Sequence, residues 1–193
     1  GAGSLCGKSL SKETWSTLGE QRQTNYALRP LTKEEFIKVV AADQPEVPAY
    51  FPVSASQNLA GSVSIEDLAT PEAMTSEAGE NFDGVVVDVR RNVEYGAGHV
   101  VNSVNIWLQG QFASWSGTMI AIGTPVVIVG DTKEEINEAF IRLARVGIET
   151  VKGYILFSDY TGAKGYTKQV SVTDARNATS NGNKVQFVDV RRS

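Results

Sequence analysis

The side chains whose types and spacing could support chemistry are concentrated between residues 88 and 99. Asp88 closes an apolar run, Arg90 follows two positions later, and Glu94 and His99 come next. An Asp and an Arg with this spacing predict an ion pair where a buried strand ends. Because such pairs mark functional sites only statistically, we interpret Asp88 and Arg90 as a structural pair without chemistry.

His99 and Cys6 are the only imidazole and the only thiol of the chain. One of each cannot build a zinc site from Cys and His ligands, and a single cysteine excludes an internal disulfide. No motif places a cysteine or serine beside His99, so we interpret it as a structural histidine. Cys6 is either a small buried apolar residue, as free cysteines often are, or a reactive thiol.

The overall charge excludes some partners. The chain has 193 residues, with 18 Lys and Arg against 22 Asp and Glu, and its net charge of -4 excludes a broadly basic nucleic-acid binder. No window approaches about 18 consecutive apolar residues, and no basic and apolar leader opens the chain. We therefore expect a cytoplasmic protein with neither a nucleic-acid nor a membrane partner.

Short apolar runs predict strands, and an amphipathic helix lies between the last two of them. The helix covers residues 134–146, where apolar residues recur every three or four positions until Gly147 ends the pattern. Strands that alternate with helices imply a parallel sheet with right-handed crossovers. The predicted strands are residues 85–89, 103–107, 126–129 and 149–151.

A repeat organises the chain into three blocks. The run Val-Asp-Val-Arg-Arg occurs at residues 87–91 and again at 188–192. A period of about 100 residues exceeds that of solenoid repeats and indicates domain duplication. The first block, residues 1–58, contains a helix begun by a Thr32–Glu35 capping box and then an extended proline-rich linker. The second block is residues 59–158. The third block, residues 159–193, is a connector followed by the first strand of the second copy. Both ends are expected to be cut, since the chain starts without Met and stops inside a strand-like run.

The second block resembles the rhodanese domain. The resemblance is carried by Asp88-Val89-Arg90, Glu94, Gly98-His99-Val100 and Asn105-Ile106. Asn102-Ser103 departs from the Gly-Ala that is usual in the family, and Trp107 replaces a proline. The resemblance implies an α/β fold of three layers with a central, mostly parallel sheet, in which Asp88, Arg90, Glu94 and His99 are structural residues.

The same resemblance implies a catalytic cysteine at the end of the next strand, followed by a loop whose backbone N–H groups point at its sulfur. Gly130 stands at that position, so the nucleophile is absent. Residues 130–135 carry three carboxylates and one amine, which disfavours a thiolate and suits a helix N-terminus instead. Thr132 is no replacement, because no base is placed beside its hydroxyl. The domain is predicted to have lost sulfurtransferase chemistry.

The first block is similar to the C-terminal part of metallo-β-lactamase-fold hydrolases of the glyoxalase II and persulfide dioxygenase branch. The similarity runs through residues 1–7, 16–22, 25–28 and 31–36. It implies a helical and looped end piece of an αββα fold whose metal ligands lie upstream. We therefore expect no cofactor within this chain, and iron, with zinc as the alternative, in the missing part. Cys6 would lie near that metal and could relay persulfide sulfur.

Together the two resemblances predict a piece of a bacterial metallo-β-lactamase/rhodanese fusion, a persulfide dioxygenase with sulfurtransferase capacity. The piece itself is expected to be inactive, with its rhodanese-like domain as a scaffold. The expected partners are a small-molecule persulfide or thioester, the rest of the metal domain, a second rhodanese domain, and optionally a second copy of the chain in a homo-oligomer.

Three alternatives stay open. A glyoxalase II-like thioester hydrolase shares the same metal-dependent fold. A protein-interaction module could capture a cationic partner with residues 130–135. A phosphate-binding loop at residues 2–9 is the weakest alternative, because no strand precedes this relaxed pattern and no amphipathic helix follows it.

Overall fold

The computed structural model describes residues 15–42, 47, 50–61, 63–64, 67–180 and 186–188. The chain divides into two compact units, Gly1–Val47 and Pro48–Ser193. Cys6, the phosphate-loop pattern at residues 2–9 and most of the repeated run around Asp189 lie outside the described residues. The interpretations placed on them therefore stay predictions.

The described part of the first unit is helical. The predicted capping box is present, because the Thr32 hydroxyl accepts from the Glu35 N–H at 3.2 Å and the Glu35 carboxylate accepts from the Thr32 N–H at 2.9 Å. No residue of its two α-helices is buried. Its elements are α1 (Leu18–Thr24), a 3₁₀ turn (Tyr26–Leu28) and α2 (Lys33–Ala41).

The second unit begins with a helix that the sequence analysis did not predict. Helix α3 (Phe51–Ala60) covers residues that we expected to form an extended linker, and that expectation is wrong from residue 51 onward. Pro52 lies in the first turn of α3, where its missing N–H removes no helical hydrogen bond and its fixed φ suits the helix. Tyr50, just before α3, packs against the main hydrophobic core.

A five-stranded sheet in the order β1-β6-β5-β2-β4 forms the centre of the second unit, and all neighbouring strands are parallel. A separate antiparallel pair, β3 with β7, lies outside it. The predicted α/β fold with a mostly parallel central sheet is confirmed. The strands are β1 (Glu72–Ala73), β2 (Val85–Asp88), β3 (His99–Val100), β4 (Val104–Asn105), β5 (Val126–Gly130), β6 (Val151–Leu156) and β7 (Lys164–Gly165).

The helices of the second unit connect these strands. Helix α7 confirms the predicted amphipathic helix, and Gly147 beyond it adopts the left-handed φ of 81° that favours glycine. Helix α8 lies in the segment that we expected to be a connector. After α3 the helices are α4 (Ser76–Glu80), α5 (Asn92–Ala97), α6 (Phe112–Met119), α7 (Lys133–Ala144), a 3₁₀ turn (Phe157–Asp159) and α8 (Val172–Ser180).

Both faces of the sheet are covered, which makes the unit three-layered. Side chains alternate along each strand, so Val87 and Ile128 enter the larger core with α6 and α7, whereas Val86 and Val127 enter the smaller core on the opposite face. This two-sided burial explains why the central strands read as continuous apolar runs.

The larger core can be tested at Leu143, which is 0% exposed on α7. We expect Leu143→Ala to lower the free energy of unfolding by about 2–5 kcal/mol, because it removes buried methyl groups and leaves a cavity. Leu59→Ala is the matched control, since Leu59 is 91% exposed on α3 and should change stability by less than about 0.5 kcal/mol. Urea unfolding followed by circular dichroism measures both, and equal effects would contradict this description of the core.

Candidate functional site

The candidate site lies at the carboxyl edge of the sheet, where β2 and β5 end side by side. Asp88 closes β2 and pairs in register with Val129, and Gly130 closes β5. Open α/β sheets bind ligands in the crevice outside the carboxyl ends of their strands. Three of the residues singled out from the sequence, Asp88, Arg90 and Gly130, therefore meet at the edge where chemistry would be expected.

A buried ion pair forms the floor of this edge. Asp88 is 0% exposed and Arg90 3% exposed, and Arg90 Nη2 lies 2.6 Å from Asp88 Oδ2. Arg90 Nε donates to both carboxylate oxygens of Asp88, at 3.0 and 3.2 Å, and the Arg90 backbone N–H donates to Oδ1 at 3.0 Å. The ion pair predicted from the sequence is present, and its carboxylate is fully engaged.

Three further residues hold Arg90 and its neighbours in place. Arg90 Nη2 donates to the Gly98 carbonyl at 2.8 Å, and the guanidinium carbon lies 3.5 Å from the centroid of the Phe157 ring. Asn105 donates through Nδ2 to the carbonyls of Asp88 and Arg90, both at 2.9 Å. No role for Asn105 or Phe157 is predicted from the sequence. Asn105 was part of the quoted pattern, whereas nothing in the sequence links Phe157 to Arg90.

Glu94 and His99 take positions in local structure. The Glu94 carboxylate accepts from the Arg91 N–H at 2.8 Å, at the start of α5. His99 is buried, its Nδ1–H donates to the Tyr95 carbonyl at 2.8 Å, and its ring stacks on the Tyr95 ring at 3.8 Å. On the other side, Nε2 packs so closely on Gly165 that a Cβ there would lie 2.5 Å away. His99 is thus enclosed on both sides.

Asn102, a departure from the family pattern, has a conformational explanation. Asn102 is the one described residue other than glycine with a positive φ, at 64°. The glycine that is usual at this position adopts such a φ freely, and asparagine tolerates it better than most residues. The substitution therefore preserves the backbone turn between β3 and β4.

Gly130 leaves little space for a side chain. A Cβ built on Gly130 would lie 3.0 Å from Ile136 Cδ1, 3.5 Å from Glu135 Oε2 and 3.5 Å from Val89 Cγ2. Ile136 would have to shift by a few tenths of an ångström to admit a larger residue. Any side chain at this position would start next to a carboxylate.

Two backbone donors of the loop that follows Gly130, those of Asp131 and Thr132, are already used. Glu135 Oε2 accepts from the Asp131 N–H at 2.9 Å and from the Thr132 N–H at 3.3 Å. The Thr132 hydroxyl accepts in return from the Glu135 N–H at 3.2 Å, which completes a capping box at the start of α7. A carboxylate of the chain itself therefore takes these two amides, in the loop where a rhodanese would direct its N–H groups at sulfur.

The charge around the loop is negative. Asp131 Oδ1 lies 3.9 Å from Arg90 Nη1, which is too far for a hydrogen bond. Partial burial raises the pKa of Asp131 above its ordinary value; Arg90 opposes this rise, and the charges of Glu135, Glu94 and Asp88 add to it. The charges of Glu135, Glu94 and Asp88 would also disfavour a thiolate placed here, whereas Arg90 would favour it.

No metal-binding group is found in the described part of the chain. There, no three His, Cys, Asp or Glu side chains are arranged so that they could hold a metal ion. The iron or zinc that the resemblance implies was expected in an upstream part of a longer protein and stays a prediction. Within the same residues, no helix is both long and apolar enough to cross a membrane.

Comparisons with known proteins support the fold described above. The family model described as "Rhodanese-like domain" matches residues 70–175. No curated protein matches the chain. The crystal structure of a metallo-β-lactamase from Staphylococcus aureus is 28% identical with a TM-score of 0.68, over 80% of this chain and 43% of that one. This chain thus spans less than half of that structure.

A second solved structure shows a more distant likeness. The solution structure of the rhodanese-like domain of the Anabaena Alr3790 protein is 12% identical, with a TM-score of 0.44, over 65% of this chain and 92% of that one.

The buried ion pair gives the first prediction for this site. Asp88→Ala should lower the free energy of unfolding by about 3–5 kcal/mol, because it leaves the Arg90 charge buried without its partner. Glu138→Ala breaks the more exposed Arg142–Glu138 pair on α7 and should cost less than about 1 kcal/mol. Denaturant unfolding measures both variants, and a cost for Asp88→Ala as small as that of the control would show that the pair is not important for stability.

The second prediction for this site concerns the loop capped by Glu135. Glu135→Ala should lower the free energy of unfolding by about 1 kcal/mol, because two loop amides lose their acceptor. Glu134→Ala is the matched control. Glu134 lies in the same first turn of α7 and interacts with the helix dipole in the same way, but the Asp131 and Thr132 amides donate to Glu135 and not to Glu134. Thermal unfolding compares the two, and an equal loss in both would assign the effect to helix charge alone.

Proposed function

The chain belongs to the rhodanese-like domain family through residues 70–175, and from that premise we propose that this domain carries out no sulfur transfer. It serves instead as a scaffold within a larger, metal-dependent enzyme of persulfide metabolism. The single observation that carries the proposal is the structure of the loop after β5. Gly130 stands at the nucleophile position, and the Asp131 and Thr132 N–H groups donate to Glu135.

Sulfur transfer needs an atom that can accept sulfane sulfur and surroundings that stabilise it as an anion. Gly130 supplies no such atom. The Asp131 and Thr132 amides, which could stabilise an anion, donate to Glu135. Since the thiolate is the reactive form and negative neighbours raise the pKa of a thiol, neither requirement is met at this edge.

Two lines of support point to the larger enzyme. The first unit is similar in sequence to the end of a metallo-β-lactamase-fold domain, and the chain is 28% identical to a structure described as a metallo-β-lactamase. More than half of that structure has no counterpart in this chain. We propose that a longer polypeptide supplies the metal ligands, for iron or alternatively zinc, and that a persulfide is its substrate.

A thioester hydrolase is the second candidate for the parent enzyme. The observation that favours a hydrolase is the likeness of this chain to a structure described as a metallo-β-lactamase, whose fold is that of a hydrolase. In either case the rhodanese-like domain has the same role, because its edge offers no nucleophile in either reaction.

A thiosulfate:cyanide sulfurtransferase assay on the 193-residue chain tests the loss of chemistry. We expect no turnover from the chain, and none from Gly130→Cys, because Glu135 still takes the loop amides next to the new thiol. In a Cys6→Ser background, the pKa of the thiol in Gly130→Cys should not fall below the ordinary value of about 8.5. Adding Glu135→Gln should lower that pKa, since it removes the negative charge beside the sulfur.

The rate of alkylation by iodoacetamide as a function of pH reports this thiol pKa. Gly130→Ala controls for the tight contact with Ile136, because it adds the Cβ without the sulfur. Turnover by the unmodified chain that disappears in Cys6→Ser would contradict the scaffold proposal.

A further inference from the structure

One segment of the second unit carries no charge at all. Residues 100–130 contain no Asp, Glu, Lys or Arg, although these residues make up 21% of the chain. At ordinary charged-residue frequencies, a stretch of this length would carry roughly six to eight charged side chains. The absence is expected for β5, which is buried on both faces. It is not expected for the loop after β4 and for α6, which reach the surface.

The exposed part of this segment is rich in aromatic and apolar groups. Trp107 is 47% exposed, Trp115 56% and Met119 55%. They border a cleft of about 400 Å³ beside the edge strand β4. The other side chains of the cleft that matter here are neutral amides, those of Asn105, Gln109 and Gln111. We call the six side chains together the tryptophan face.

The backbone beneath the tryptophan face is firmly held. Arg142 of α7 donates to the carbonyl of Leu108 and, at 3.0 Å, to that of Gly110. Asn105 is anchored on the carbonyls of Asp88 and Arg90, and Phe112 at the start of α6 is buried. A surface that is already ordered loses little conformational entropy when it binds. The face is thus built as a binding surface would be.

We infer that the tryptophan face binds the same face of a second copy of this chain around a two-fold axis. In such an interface each residue near the axis meets its own copy, so like charges repel there. The amides of Gln109 and Gln111 both donate and accept hydrogen bonds, and the two tryptophans and the methionine are neutral, so these five side chains can meet their own copies. Asn105, whose Nδ2 donates to the carbonyls of Asp88 and Arg90, contributes only its oxygen as an acceptor. Trp and Met are also the residue types enriched in interface cores, from which charged residues are depleted.

The charge of the remaining surface favours this occupant further. The chain has a net charge of -4, and the neighbouring loop presents Asp131 and Glu134 to solvent. Two copies that met through the acidic loop would bring these carboxylates together, whereas none of the six side chains of the tryptophan face is charged. This inference goes beyond the proposed scaffold function and gives that scaffold a partner.

Analytical ultracentrifugation of the 193-residue chain, from about 1 to 200 μM, tests the inference. We expect a monomer–dimer equilibrium in the micromolar range. Trp115→Arg and, independently, Met119→Lys should weaken dimerisation about 30-fold or more, because each places a charge next to its own copy. Tyr166→Arg is the matched control, since Tyr166 is an exposed aromatic residue elsewhere and should leave the dimer unchanged.

A measurement on the otherwise unmodified face covers the case in which both charged variants misfold. The chain has three tryptophans, so Trp15→Phe leaves only Trp107 and Trp115 to fluoresce. Their emission should shift to the red as the dimer is diluted into monomers. A chain that stays monomeric at 200 μM, as expected if a peptide or another part of a longer polypeptide covers the face, would overturn the inference. A dimer whose dilution leaves the tryptophan emission unchanged would also overturn the inference. The same holds if Trp115→Arg and Met119→Lys both fold and still form the dimer.

The sulfurtransferase assay keeps the two proposals separate. A monomeric chain without turnover would overturn the dimer and leave the scaffold function intact. A dimeric chain with turnover would overturn the scaffold function and leave the dimer inference intact.

Discussion

The carboxyl edge of the sheet depends on one buried interaction, the ion pair of Asp88 and Arg90. Two charges removed from water are tolerated only when their hydrogen-bonding groups are satisfied, and here the carboxylate accepts from three N–H groups of one residue. Arg90 then reaches the Gly98 carbonyl and the Phe157 ring, while Asn105 ties the end of β2 to β4. The pair thus fixes the end of β2, the entry to β3 and the turn after β6 relative to one another.

Within this fixed edge, the loop after β5 donates two of its backbone N–H groups to Glu135, at the start of α7. The same feature, a strand end followed by a helix N-terminus, can stabilise either a reactive anion or a carboxylate of the chain. Here Glu135 provides the carboxylate and Thr132 completes the cap of α7. The free energy that a catalytic loop would invest in binding substrate instead contributes to the start of the helix.

Much of this arrangement could be predicted from the sequence, and the failures have physical reasons. The buried strands β2 and β5, helix α7 and the Asp88–Arg90 pair follow from local patterns of apolar and charged residues. Helix α3 was missed because Pro52 was interpreted as a helix breaker, although proline fits a first helical turn. Helix α8 was missed although the Ser171 hydroxyl and the Asp174 N–H form a local N-terminal cap. The contact of Phe157 with Arg90 joins residues far apart in sequence, so no local pattern could reveal it.

The capping of α7 by Glu135 also bears on how such a domain evolves. Under the proposed scaffold function, a cysteine introduced at position 130 would find the Asp131 and Thr132 amides bound to Glu135 and Ile136 in its way, so one mutation provides no activity that selection could favour. A loss of Glu135 alone weakens the helix and brings no benefit either. Under the proposed scaffold function, a return to sulfur transfer requires changes that are each unfavourable or neutral alone, which is an epistatic barrier.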